Sequence, residues 1–242
     1  MTLLDVGAVA LLVFTVAAAA QAVTGFGLAL VAVPLMAVII DPVAAVVVTT
    51  MVGLVLTGLA SYRERQHVEA PVAARLTGAA LLGMPLGLLT LTLLDERSLE
   101  LVIAVGLLLL VGLLLVRVPL PAGAVTQYGA GVVSGMLLTS TGMNGPPVVL
   151  SLQALHLPPR RFRGTLQVVF CAQDLVAVVA FVALGHVDPV IATAVLAGVA
   201  GVPAGWWVGD RLFGLLPPER FRGVVLSTLT VTALVALSAA VA

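Results

Sequence analysis

Neutral hydrogen-bonding side chains set among glycines and prolines are the residues of this chain best placed to do chemistry. The stretch Thr139-Ser140-Thr141-Gly142-Met143-Asn144-Gly145-Pro146-Pro147 sits in the apolar run 122–157. A regular helix does not continue through it, because Gly costs about 1 kcal/mol and Pro about 3 kcal/mol relative to Ala. A helix restarting near Pro146 would present free amides and the positive end of its dipole, which together hold an anion without any buried cation. Ser140, Thr141 and Asn144 add neutral donors, while Gly142 and Gly145 let backbone approach a ligand. A gentler break occurs at Gln21-Ala22-Val23-Thr24-Gly25-Phe26-Gly27, where Gln21, Thr24, Gly25 and Gly27 are the corresponding candidates and Phe26 can wall the site. The plainer reading of either break is a packing kink whose hydroxyls bond back to the preceding turn.

Further polar side chains lie on the apolar segments beside the breaks: Thr49 and Thr50 in one, Thr165, Gln167 and Gln173 in another. Thr49, Thr50 and Gln167 are read as ligand candidates, although such groups also join helices, at about 1 kcal/mol or less each. Asp174 is the sharper case. An acidic residue deep in an apolar, membrane-length segment costs about 2.5–3.5 kcal/mol on insertion scales, so it needs a partner or a proton, and it is the candidate proton carrier.

The elements that must position these residues are membrane spans. Of 242 residues, 61% are hydrophobic and 9% charged, against about 25% charged in a soluble domain, and mean hydropathy is +1.23. Charges and turn residues bracket apolar segments at 3–40, 43–61, 71–94, 99–116, 122–157, 166–185, 190–208 and 221–242. A crossing takes about 20 helical residues; the first and fifth segments are too long for one unbroken crossing. The N-terminal segment lacks the basic start of a cleaved signal peptide and carries Asp5, so it is read as retained.

Three landmarks recur at near-constant spacing. Gly83-Met84-Pro85-Leu86-Gly87 returns as Gly201-Val202-Pro203-Ala204-Gly205, and Thr24-Gly25-Phe26-Gly27 as Thr141-Gly142-Met143-Asn144. Leu93-Leu94-Asp95-Glu96-Arg97-Ser98-Leu99 returns as Leu215-Leu216-Pro217-Pro218-Glu219-Arg220-Phe221. The expectation is an all-α polytopic membrane protein of two repeats, 1–118 and 122–242, each a broken helix (hairpin or re-entrant) followed by three transmembrane helices. All eleven basic residues are Arg. If each broken segment returns to its own side, every Arg except Arg97 falls on one face, which the positive-inside rule makes cytoplasmic. The repeats then have inverted topology, and paired helix breaks in such halves mark a transporter's binding site.

Other classes find no support in the sequence. His67, His156 and His186 are dispersed and Cys171 is the lone cysteine, so no metal site and no disulfide framework is expected. No phosphate loop, no nucleophile–base arrangement and no basic stripe for nucleic acid is present. No catalytic residue and no cofactor is assigned, and a homo-oligomer is left open.

The chain resembles the TauE/SafE-type sulfite exporter and anion permease family over nearly its full length. The resemblance rests on Thr24-Gly25-Phe26-Gly27 ahead of Pro34, on Ser134-Gly135 through Gly142 to Pro147, and on Gly-x-Pro-x-Gly in both halves. It implies movement of a small anion, such as sulfite, a sulfonate or a carboxylate, across a bacterial-type cytoplasmic membrane. Residues favour a compact oxyanion independently, since the breaks carry neutral donors and no cation. A Na⁺-coupled or other cation transporter, an intramembrane enzyme and a non-transporting scaffold subunit are the rival readings.

Overall fold

The computed structural model describes residues 2–116 and 120–215, which form helices and connecting turns without a strand among them. In chain order these are α1 (Leu3–Thr24), α2 (Leu28–Ala37), α3 (Pro42–Glu64), a 3-10 turn (Arg65–His67), α4 (Ala70–Leu93) and α5 (Glu96–Val116). They continue with α6 (Ala124–Thr141), α7 (Gly145–Gln153), α8 (Pro159–Ala183) and α9 (Pro189–Leu215). Five helices among the described residues are long and apolar enough to cross a membrane: α1, α3, α4, α8 and α9. The expected segment 221–242, the landmark around Phe221, and Arg117, Arg220 and Arg222 lie outside the described residues.

Both long apolar runs break where glycine chemistry requires it. Gly25 and Gly142 take left-handed φ of 85° and 73°, and their N–H groups close the last turns of α1 and α6 on Gln21 and Leu138. Gly suffers no Cβ clash in that region, which is why it ends helices this way. The short helices that follow, of 10 and 9 residues, reach only about 15 Å at 1.5 Å per residue, half of a bilayer core of about 30 Å. Each packs back on its predecessor, α2 on α1 and α7 on α6. The eighth helix corrects a boundary. The expected bounds place Arg160, Arg161 and Arg163 between the apolar segments 122–157 and 166–185, but they lie in the first turns of α8, which Pro158 caps and Pro159 opens, proline being suited to a first turn whose amides have no partners anyway.

Element starts repeat with one spacing: Leu28 and Gly145, and Pro42 and Pro159, are each 117 positions apart, as are Gly25 and Gly142. The packing is matched too. α1 lies along α9, α4 along α6, and α3 crosses α8 at the centre. Two-thirds of α3's most apolar stretch is buried, against a third for α1 and for α9, so α3 is the inner post and α1 and α9 the flanks.

Gly-x-Pro-x-Gly turns out to be a packing device. A Cβ at Gly83 or Gly87 would overlap the carbonyls of Val132 and Met136 on α6, and one at Gly205 would overlap that of Thr15 on α1. Backbone approach this close is how small residues join helices in lipid. Thr139 Oγ1 donates to Met84 O at 2.7 Å across the α4–α6 contact, and Thr15 Oγ1 reaches Gly201 O at 3.4 Å across the other. Gly78 and Gly129, which look equivalent in sequence, face open space.

That contrast makes a clean test. Gly87→Ala and Gly205→Ala should each destabilise the protein by about 1–3 kcal/mol or more through overpacking, whereas Gly78→Ala should be neutral or gain up to about 1 kcal/mol of helix propensity. Thermal unfolding in detergent reads the difference; equal effects at Gly78 and Gly87 would contradict the packing.

Candidate functional site

The two breaks meet at one small cavity. Gln21 and Phe26 from the first break and Leu28 and Ala29 from the start of α2 line it. Thr49, Thr50, Gly53 and Thr57 come from α3, Leu138, Gly142 and Asn144 from the second break, and Phe170 and Asp174 from α8. Its volume is about 30 Å³, room for a water or two. Residues far apart in sequence therefore line one small space with both polar and apolar walls.

Side chains replace the helical hydrogen bonds lost at the first break. Gln21 Oε1 accepts from Leu28 N at 2.9 Å, taking one of the four amides that open α2, and Thr24 Oγ1 accepts from Phe26 N at 3.2 Å. Gly25 O accepts from Gln167 Nε2 at 3.0 Å, an α8 residue reaching across from the other half. Gly27 sits so close to Thr24 Oγ1 and the Ala20 carbonyl that a side chain there would force the turn open. Val31 N returns to Gly27 O, which leaves the amides of Ala29 and Leu30 without partners in their own helix. Ala29 faces the cavity.

Different residues support the second break. Ser134 Oγ donates to Asn144 O at 3.0 Å, and Asn144 Nδ2 donates to Gln173 Oε1 at 3.0 Å. Gly145 packs on the Phe26 ring, so the two breaks touch directly. Pro146 and Pro147 occupy the first turn of α7 and carry no N–H. The amide-rich end at this cavity is therefore that of α2, while α7 contributes the Asn144 side chain.

The remaining candidates divide. Thr49 Oγ1 is buried on the cavity with no partner, and Gln167 Oε1 and Gln173 Nε2 are likewise buried and unpaired. Thr50, Ser140 and Thr141 donate to the carbonyls of Val46, Met136 and Leu137 one turn back, and Ser140 and Thr141 are absent from the cavity lining. Thr165 Oγ1 accepts from Glu69 N at 2.9 Å, away from the cavity. Asp174 is 5% exposed; its Oδ2 is 3.0 Å from Thr57 Oγ1. An ionised Asp174 beside a bound anion would repel it by roughly 4 kcal/mol at about 4 Å with an effective dielectric of 20.

Thr57, Leu138 and Phe170 were not singled out in the sequence, Ser134 entered only through the family resemblance, and Gln173 was noted only as an intramembrane polar group. Thr57 had a usable signal, since it lies 117 positions before Asp174, the same spacing that relates the breaks. Ser134 and Gln173 act by supporting Asn144, a relationship that spacing does not reveal.

A larger groove of about 460 Å³ lies between α3 and α9, lined by Leu56, Trp206, Trp207, Arg63 and Asp210 among others. Arg63 and Asp210 are both exposed, their charges oppose each other, and the Arg211 guanidinium stacks on Trp207 at 4.0 Å. It has the character of an interfacial rim, with no buried polar group to orient a ligand.

Comparison with known proteins agrees with the membrane reading. Residues 10–236 match the family described as Sulfite exporter TauE/SafE. No curated protein and no solved structure matches the chain.

Gln21→Leu should strand the Leu28 amide and cost about 1–3 kcal/mol, read as a lower unfolding temperature in detergent. Ser140→Ala, which removes only a back-bonded hydroxyl, should cost less than half as much; the reverse order would contradict the hydrogen bonding described for the first break.

Proposed function

Because the chain belongs to the Sulfite exporter TauE/SafE family, an integral membrane family of anion exporters, we propose that it is a secondary transporter whose substrate, a small sulfur-containing or organic anion, binds in the cavity between the helix breaks. The observation that carries this reading is the meeting of both breaks on one buried space. That space is lined by Ala29, whose amide has no partner within its own helix, by the unpartnered Thr49 hydroxyl and by the Asn144 side chain. Amides at a helix N-terminus bind anions with no counter-cation, and among the described residues no Arg lines the cavity.

Transport follows from the matched halves. With each broken segment returning to its own side, halves 1–118 and 122–242 have inverted topology, and the Arg-rich loops face the cytoplasm of a bacterial-type inner membrane. Substrate is then exposed to each side in turn as one half rocks against the other. At about 30 Å³ the cavity is too small for an oxyanion with its hydration shell, so admission requires α3 and α8, which cross beside it, to part. Outward movement of one uncoupled negative charge gains about 2.3 kcal/mol per 100 mV of inside-negative potential, whereas inward movement of the same anion needs a coupling group.

Asp174 on the cavity wall favours a second reading, in which the carboxylate and backbone carbonyls at the breaks hold Na⁺.

Thermal unfolding of the purified protein separates the two. Sulfite at a hundred times its Kd should add about 2.7 kcal/mol of stability, and the shift should vanish in Asn144→Leu. A shift with Na⁺ alone would favour the cation reading, and stabilisation by sulfite that survives Asn144→Leu would place the anion elsewhere.

A further inference from the structure

Asp174 is the one titratable side chain among the described residues of the cavity wall, and it meets a partner suited to both of its charge states. Thr57 Oγ1 lies 3.0 Å from Asp174 Oδ2 and 2.9 Å from the carbonyl oxygen of Gly53, one turn back in α3. A hydroxyl has one proton to donate and two lone pairs with which to accept. Facing an ionised Asp174, Thr57 donates to the carboxylate, and the Gly53 carbonyl keeps its helical bond. Facing a protonated Asp174, Thr57 turns its proton to Gly53 O and accepts the carboxyl O–H. Neither state strands a buried polar atom, the situation that makes buried polar groups costly. A leucine or valine at position 57 would serve neither state. Thr57 and Asp174 also stand 117 positions apart, so the pair joins equivalent positions of the two halves where α3 crosses α8.

We propose that Asp174 carries a proton for the anion site, that Thr57 is its positioning partner, and that anion and proton cross together. This rests on the anion reading given above. Ionised, Asp174 faces the cavity as a like charge and opposes entry of an anion. Protonated, it withdraws that charge. The proton comes from water on the side to which the site is open, bonds to Asp174 Oδ2 as the anion enters, and returns to water on the far side as the anion leaves. Only that O–H bond is made and broken.

Among the described residues, no other charged side chain lines the cavity that Asp174 faces. Arg63 and Glu64 close α3, His67 lies in the turn after it, Glu69 and Arg75 open α4, and Arg160, Arg161 and Arg163 open α8; none lines the cavity. Cys171 on its own helix faces Gly58 of α3. α6 carries only the exposed Tyr128, and α7 has no titratable side chain.

The test is flux of labelled sulfite in vesicles containing the full-length protein, with the membrane potential clamped at zero by K⁺ and valinomycin. An inward proton gradient of one pH unit should accumulate sulfite in wild-type vesicles by up to about tenfold for one proton per anion. Asp174→Asn should lose that accumulation. Thr57→Val should lose most of it, and Thr57→Ser should restore it, which a merely structural role for the threonine would not require. If Asp174→Asn does not fold, the Thr57 pair decides alone. Wild-type accumulation by either Asp174→Asn or Thr57→Val overturns the proposal. Wild-type counterflow indifferent to the proton gradient overturns the coupling and leaves the anion reading standing. A wild type that moves no sulfite in counterflow overturns the anion reading, and the coupling with it.

Discussion

Hydrocarbon offers backbone groups no water, so a helix interrupted inside a membrane must find replacement partners for each hydrogen bond it loses. The rest of this structure depends on how that demand is met at Gly25–Gly27 and Gly142–Gly145. Gln21 reaches forward to the Leu28 amide, Gln167 crosses from α8 to the Gly25 carbonyl, and Ser134 takes the Asn144 carbonyl. Gln173 holds the Asn144 side chain. These are the polar groups that a purely structural helix bundle would not need. They converge on one place because two breaks, each requiring support, are packed against each other through Phe26 and Gly145.

The two halves match in spacing and differ in chemistry. Gly25 and Gly142 end their helices in the same conformation, and the helices after them begin at the same interval. Beyond that, α2 opens with donating amides, while α7 opens with two prolines that donate nothing. Asp174 on α8 has a threonine rather than a second acid as its counterpart on α3. Helix starts that repeat at one interval thus carry different chemistry: residues 1–118 bring the start of α2 and the Thr49 hydroxyl to the cavity, and the later residues bring Asp174 and Asn144.

Much of this was legible in the sequence, for identifiable reasons. Polar residues clustered with Gly and Pro inside two overlong apolar runs announced the helix breaks, and both breaks fall there, whereas Pro85 and Pro203 with their flanking glycines lie inside unbroken helices. Gly-x-Pro-x-Gly announced the repeat, though its role emerged only from the carbonyls of Met136 and Thr15 pressed against it. Hydroxyls were the weak point. Thr49, Ser140 and Thr141 look alike in sequence, yet two are turned back on their own helix and one faces the cavity unpaired. Side-chain direction around a helix depends on which neighbour each face meets, and local sequence does not record that. Thr57 was missed for the same reason, being an ordinary helix residue until α8 is laid beside it.

The central claim is that the anion sits between the breaks. The most direct measurement is a crystal structure of the protein grown with selenite, a heavier analogue of sulfite of the same shape, examined for anomalous scattering. The account predicts a selenium peak in the cavity, within hydrogen-bond reach of Thr49 Oγ1 and the Ala29 amide. A peak confined to the α3–α9 groove beside Arg63, with the cavity empty, would contradict it.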